Sequence, residues 1–101
     1  MAYTSDDRLI TASQAFDGVL TVGTFTSLTS AVIRDANPQR TMLTVFNQGP
    51  GVLYVLYGSG TVSTSNYSVK LFKDSTLEIP FYQGVVAGKY EVASTAKVTE
   101  L

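Results

Sequence analysis

The chain has 101 residues, 45% hydrophobic and 15% charged, with seven Lys and Arg against eight Asp and Glu for a formal net charge of -1. That length suits one domain burying roughly two-thirds of its unfolded surface, and the scattered cations supply no field to neutralise phosphates, which disfavours nucleic-acid binding. The absence of Cys and His removes disulfides, thiolate sites, the commonest metal ligands and the commonest general base.

Residues 1–30 are mixed in texture. Asp6, Asp7 and Arg8 precede Leu9 and Ile10, and a Ser/Ala/Gln patch leads to Phe16, Asp17 and Gly18. No basic start runs into an apolar stretch and no run approaches membrane-spanning length, so neither a secretory signal nor a membrane partner is expected. Val19–Val22 and Phe25–Leu28 are short strand candidates, and Asp7–Phe16 has the pattern of one helical turn at most. A solvated tail is the plain reading of such a terminus. Tyr3, Leu9, Ile10, Phe16, Leu20 and Phe25 count against it, since each would forgo roughly 1.5–3 kcal/mol of burial if left in water. The segment is therefore expected to be an extended arm that finds a partner surface, followed by a domain over residues 31–101.

Ala31, Val32 and Ile33 make a strand candidate that Arg34, Asp35, Ala36, Asn37 and Pro38 end with turn residues. From Thr41 to Tyr57, two runs dense in β-branched and aromatic residues flank Gly49, Pro50 and Gly51. This is the pattern of a central β-hairpin with a loop longer than two residues. Met42, Thr44 and Phe46 share one face of the first strand, with Leu43 and Val45 on the other. On the second, Val52, Tyr54 and Leu56 oppose Leu53, Val55 and Tyr57. Neither strand alternates apolar with polar, as one wet face requires. A two-layer domain buries one face of each sheet, so the second face must meet the arm, a loop or another subunit, a β-bulge or ordinary surface exposure being the plain alternative. Phe46, Tyr54, Leu56 and Tyr57 are thus the candidate self-association residues.

Gly58, Ser59 and Gly60, then Thr61 to Asn66, form a loop too long for a tight turn, a connecting segment that could also bind. Asn66, Tyr67 and Ser68 fit the glycosylation pattern, a three-residue match expected by chance. Beyond it the alternation is cleaner. Tyr67, Val69 and Leu71 oppose Ser68 and Lys70; Lys73, Asp74 and Ser75 supply a turn; Leu77 and Ile79 oppose Thr76 and Glu78 before Pro80 stops the ladder. Tyr90 and Val92 are expected inside and Lys89 and Glu91 outside, and Ala96 and Val98 alternate with Lys97 and Thr99. About seven regularly spaced strands predict an all-β domain, a single small antiparallel β-sandwich or a jelly-roll-like barrel.

No chemistry announces itself. Asp6 and Asp7 are the only close carboxylate pair, and neighbours on an extended chain point to opposite sides. Glu78, Glu91 and Glu100 are expected on outward strand faces rather than across a cleft. The glycine loops lack the following helix of a phosphate cradle, and no DxDxDG spacing for calcium occurs. Tyr54, Tyr57, Tyr67, Phe81, Tyr82 and Tyr90 could stack sugars or bases, but such residues more often fill a sandwich core. No catalytic residue, metal site or cofactor is expected.

A family likeness begins at Asn37. The matching positions are Asn37, Pro38, Arg40, Leu43, Val45 and Asn47; Leu53, Tyr54 and Val55; Gly58, Ser59 and Gly60; Tyr67, Val69, Lys70 and Leu71; Glu78, Ile79 and Pro80; and Ala96, Val98, Thr99 and Glu100. In this pattern, about 65 residues of the chain resemble small β-sandwich virion proteins of tailed bacteriophages. Lys73, Asp74 and Ser75 replace that family's glycine-containing turn, and Tyr90 stands where a Trp is common. The resemblance implies a non-enzymatic building block of the particle, in capsid or tail. The arm favours the capsid, because an extended segment spans neighbouring capsomers at about 3.3 Å per residue. The expectation is a capsid cement or decoration protein on the outer surface of the shell, self-associating as a trimer. Its arm, through Tyr3, Arg8, Leu9, Ile10 and Phe16, would grip the major capsid protein. The alternative is a tail or fibre module that binds a host surface through Thr61–Asn66 and exposed tyrosines.

Overall fold

β-Branched and aromatic side chains pack well on a pleated surface, and eight runs rich in them are strands in the computed structural model, which describes residues 21–101. In chain order they are β1 (Thr21–Phe25), β2 (Ala31–Arg34), β3 (Met42–Gly49), β4 (Leu53–Tyr57), β5 (Val69–Leu71), β6 (Thr76–Pro80), β7 (Val86–Tyr90) and β8 (Thr95–Glu100). All pairings are antiparallel. They build two four-stranded sheets, ordered β1-β8-β3-β6 and β2-β7-β4-β5, so the fold is all-β, a small sandwich.

The core lies between the sheets. Leu43 and Val45 of β3, Ile79 of β6 and Ala96 and Val98 of β8 meet Ile33 of β2, Leu53 and Val55 of β4, Leu71 of β5 and Val86 and Tyr90 of β7. Burying each large side chain contributes roughly 1.5–3 kcal/mol. Phe25 joins them from β1, its ring centroid 6.2 Å from that of Tyr90. The sandwich therefore includes β1, ahead of the expected boundary at Ala31, because Phe25 is a core residue and β1 pairs along its whole length with β8. The turn proposed over Asp7–Phe16 lies outside the described residues.

The central hairpin is not a hairpin. β3 pairs with β6 and β8, β4 pairs with β5 and β7, and the chain crosses from one sheet to the other between them. Leu43 and Val45 thus face Leu53 and Val55 through the core instead of lying beside them. Side chains replace the missing ladder bonds of this arch. Asn47 Nδ2 donates to the carbonyls of Gly51 (2.8 Å) and Leu71 (2.7 Å), and its Oδ1 accepts from Gly49 N–H (2.9 Å). Gly51 N–H donates to Ser94 Oγ at 2.7 Å. Gly49 has φ +80°, a conformation that favours glycine, and a Cβ on Gly51 would lie 2.4 Å from Val92 Cγ2 and 2.9 Å from Ser94 Oγ, so that those side chains would have to shift.

In the C-terminal half the alternation places Leu71, Ile79, Tyr90, Ala96 and Val98 inside as expected, and the β6 ladder ends at Pro80. Three positions differ. Val92 is 52% exposed, because β7 stops at Tyr90 and the inward register is lost in the following turn. Tyr67 precedes β5, and its ring packs on Tyr54 of the outer face instead of entering the core. Glu100 is buried and ion-paired, not outward.

Candidate interaction surfaces

Polar groups in the interior define what is rigid. Arg40 is fully buried between the β2–β3 turn and β3, and every nitrogen of its guanidinium is used. Nε donates to Glu100 Oε2 at 2.7 Å, Nη1 to the carbonyls of Gly84 (2.9 Å) and Tyr82 (3.2 Å), and Nη2 to the carbonyl of Asp35. Asn37 Nδ2 also reaches Glu100 Oε2, and Arg34 Nε lies 3.9 Å from Oε1. The cluster ties the β2–β3 turn, the β6–β7 loop and the last strand together at one end of the sandwich. The charge-assisted bonds of Arg40 fix this geometry, while Arg34 Nε is buried without a hydrogen-bond partner; removing one partner of the Arg40–Glu100 pair strands the other. Toward the arch, Tyr90 donates its hydroxyl to Asn47 Oδ1 at 2.6 Å, which completes the four hydrogen bonds an amide can make. Burial pushes the Tyr90 hydroxyl up to about 12.

The outward faces carry the candidate contact residues, and the four residues expected to self-associate fall in three places. On the β1-β8-β3-β6 sheet, Phe46 sits half-buried in a cross-strand row between Thr76 and Lys97, beside a row of Glu78, Thr44, Thr99 and Val22. On the opposite sheet, Tyr54 lies between Lys70 and Lys89, and Leu56 beside Ala87 and Val32. The Tyr54 and Tyr67 rings meet edge to face at 5.3 Å, and Lys70 Nζ stands 5.9 and 5.7 Å from their centroids. Long side chains of the same sheet therefore cover part of the second face of β4, a favourable use of aromatic edges and cations. Tyr57, at the end of β4, stacks on Tyr82 with centroids 5.7 Å apart, and burial raises its hydroxyl above the ordinary tyrosine value. Tyr54 and Leu56 thus share one surface, while Phe46 occupies the far side of the sandwich. The arm residues Tyr3, Arg8, Leu9, Ile10 and Phe16 lie outside the described residues.

The loop after β4 is tied down. Ser63 and Asn66 bridge, Asn66 Nδ2 donates to the Thr61 carbonyl at 2.7 Å, and buried Val62 donates its N–H to Ser30 Oγ at 2.8 Å. These bonds fix its shape, with Val62 buried and Thr61 and residues 64–66 exposed.

Phe81 stands apart. It is 82% exposed and holds φ +62°, a left-handed backbone that bulky residues rarely adopt. Such strain persists only where the surroundings over-determine it, and it concentrates at functional positions. The Phe81 N–H is bonded to the Thr41 carbonyl at 3.0 Å, next to the Arg40 cluster. Arg40, Asn47 and Phe81 drew no individual role from the sequence. Arg40 and Asn47 stood only among the matching positions, and Phe81, after a strand-ending proline, had no mark beyond its ring.

Among the described residues there is no enclosed pocket and no cluster of three metal-ligating side chains. No family model, curated protein or solved structure matches the chain.

Proposed function

We propose that the chain is a non-enzymatic structural protein of a tailed-phage particle, a cement protein that decorates the outer surface of the capsid and binds the major capsid protein. The observation that carries this reading is where the family-like positions fall. Asn37 and Arg40, from the start of that pattern, and Glu100, from its end, meet in one buried cluster. Asn47 pins the arch, and Leu43, Val45, Leu53, Val55, Leu71, Ile79, Ala96 and Val98 fill the core. Residues scattered over 64 positions thus act as one framework. Exposed apolar groups on that framework, with Phe81 foremost, suit contact with a large protein surface rather than capture of a small molecule.

The mechanism is mass action. A protein that binds only the assembled shell raises the free energy of disassembly by RT ln(1 + [L]/Kd), about 2.7 kcal/mol at a hundredfold excess over Kd. Imaging of particles, with the copy number set against that of the major capsid protein, tests the assignment. A cement protein approaches the stoichiometry of the shell subunit; a few copies at the tail would replace the reading with the host-binding one. Deleting residues 1–16 should leave the sandwich folded and abolish decoration, and a truncated chain that still coats shells removes the arm from the mechanism.

A further inference from the structure

A sheet edge presents unpaired N–H and C=O groups that template another strand, and folded chains blunt such edges with charge, proline, bulges or brevity. Among the described residues the sandwich has four edges: β1 and β6 in one sheet, β2 and β5 in the other. β5 is three residues long with Lys70 at its centre, and β6 has Glu78 at its centre and ends at Pro80. β2 carries Arg34 and a register shift between Val32 and Arg34. β1, Thr-Val-Gly-Thr-Phe, has none of these devices and keeps continuous one-to-one register with β8 over five residues. Its outward side chains are exposed, Val22 at 63%.

We propose that β1 is a self-association edge: two copies of the chain pair β1 with β1, antiparallel about a twofold axis at Gly23, and join two four-stranded sheets into one of eight. Antiparallel self-pairing sets the middle residue of a strand opposite itself. On β5 that opposes Lys70 with Lys70 and on β6 Glu78 with Glu78, like-charge pairs that a sheet penalises. On β1 it opposes Gly23 with Gly23 and places Val22 beside Thr24 on each side of the axis, neutral β-branched pairs that suit a sheet. An isologous contact of this kind closes as a dimer, in place of the expected trimer. It stands independently of shell binding, so a failed dimer and a failed decoration assay are separate results.

Sedimentation of the full chain from micromolar to hundred-micromolar concentration should show a reversible dimer. The chain has no cysteine of its own, which allows the register to be read directly. Facing residues in antiparallel strands lie about 4.5–5.5 Å apart at Cα, within disulfide reach. A mixture of Val22→Cys and Thr24→Cys chains should therefore cross-link at least tenfold faster than either alone, since each position faces the other and not itself. The double variant V22K/T24K should sediment as a folded monomer, and mixing it with V22E/T24E should restore a dimer. A wild-type chain that remains monomeric or forms a trimer, or mixed cysteines that link no faster than single ones, overturns the proposal.

Discussion

Phe81 shows how one residue can set local strain against solvent exposure. Its ring is 82% exposed, so truncating it forfeits little burial, while its φ of +62° carries the left-handed penalty of roughly 1–2 kcal/mol for a side-chain-bearing residue. Glycine removes that penalty but returns roughly 0.5–1 kcal/mol to the unfolded state through added freedom. Phe81→Gly should therefore stabilise the domain by about 0.5–1 kcal/mol, raising Tm by roughly 3–6 °C in a melting experiment. Asp74, at φ +65°, should gain less from the same change, because Asp tolerates the left-handed region. If Phe81 is an anchor for the shell, the more stable variant should bind shells more weakly; an unchanged melting temperature removes the strain from the account. At the same scale, Glu100 explains a misreading of the sequence. Its parity with Ala96 and Val98 points inward, while its charge argues for water. Parity prevails because Arg40, 60 positions away, waits inside as its partner, and a pairing at that separation leaves no local signal.

The strands themselves were legible because alternation and β-branched content are local properties. The strand over Ala31, Val32 and Ile33, which runs on through Arg34, the β6 ladder ending at Pro80 and the core side of β8 follow from them directly. The connection between β3 and β4 was not legible, since a glycine-proline loop between two apolar runs serves a hairpin and a sheet-crossing arch equally well. The decision rests with Asn47, which donates to Gly51 and Leu71 and accepts from Gly49 and Tyr90. Asn47→Ala leaves four polar groups without their partner, and at about 1–3 kcal/mol for each one that stays dry the loss should reach about 3–5 kcal/mol. Asn47→Asp keeps the two acceptor bonds yet sets a carboxylate against two carbonyls, so it should be no milder. Urea unfolding with an unchanged m-value is the measurement. A cost below about 1 kcal/mol would mean that the arch is held by its core contacts alone.

For the whole molecule, composition and patterning gave the all-β class, whereas the distribution of outward residues over two opposite faces depends on which strands share a sheet. The same composition governs stability against pH. With no His, no side chain has an ordinary value between pH 5 and 8, and stability should be nearly level from about pH 6 to 9. At the alkaline end the buried tyrosines take over: burial pushes Tyr90 up to about 12 and Tyr57 in the same direction, while an unfolded tyrosine ionises near 10. Below pH 10 both states hold the proton and nothing changes. Above it the unfolded chain releases protons that the native state retains, so unfolding is favoured and the stability contributed by the neutral hydroxyl is lost as pH rises toward 12. Tyr90→Phe gives up one hydrogen bond to Asn47, about 1 kcal/mol at neutral pH, and removes the larger of the two alkaline contributions. Denaturant unfolding from pH 6 to 11.5 should therefore show the wild-type and Tyr90→Phe curves converging above pH 10, with one tyrosine titrating late in the wild-type absorbance at 295 nm. Curves that stay parallel would place the alkaline loss elsewhere than in the hydroxyl that closes the arch.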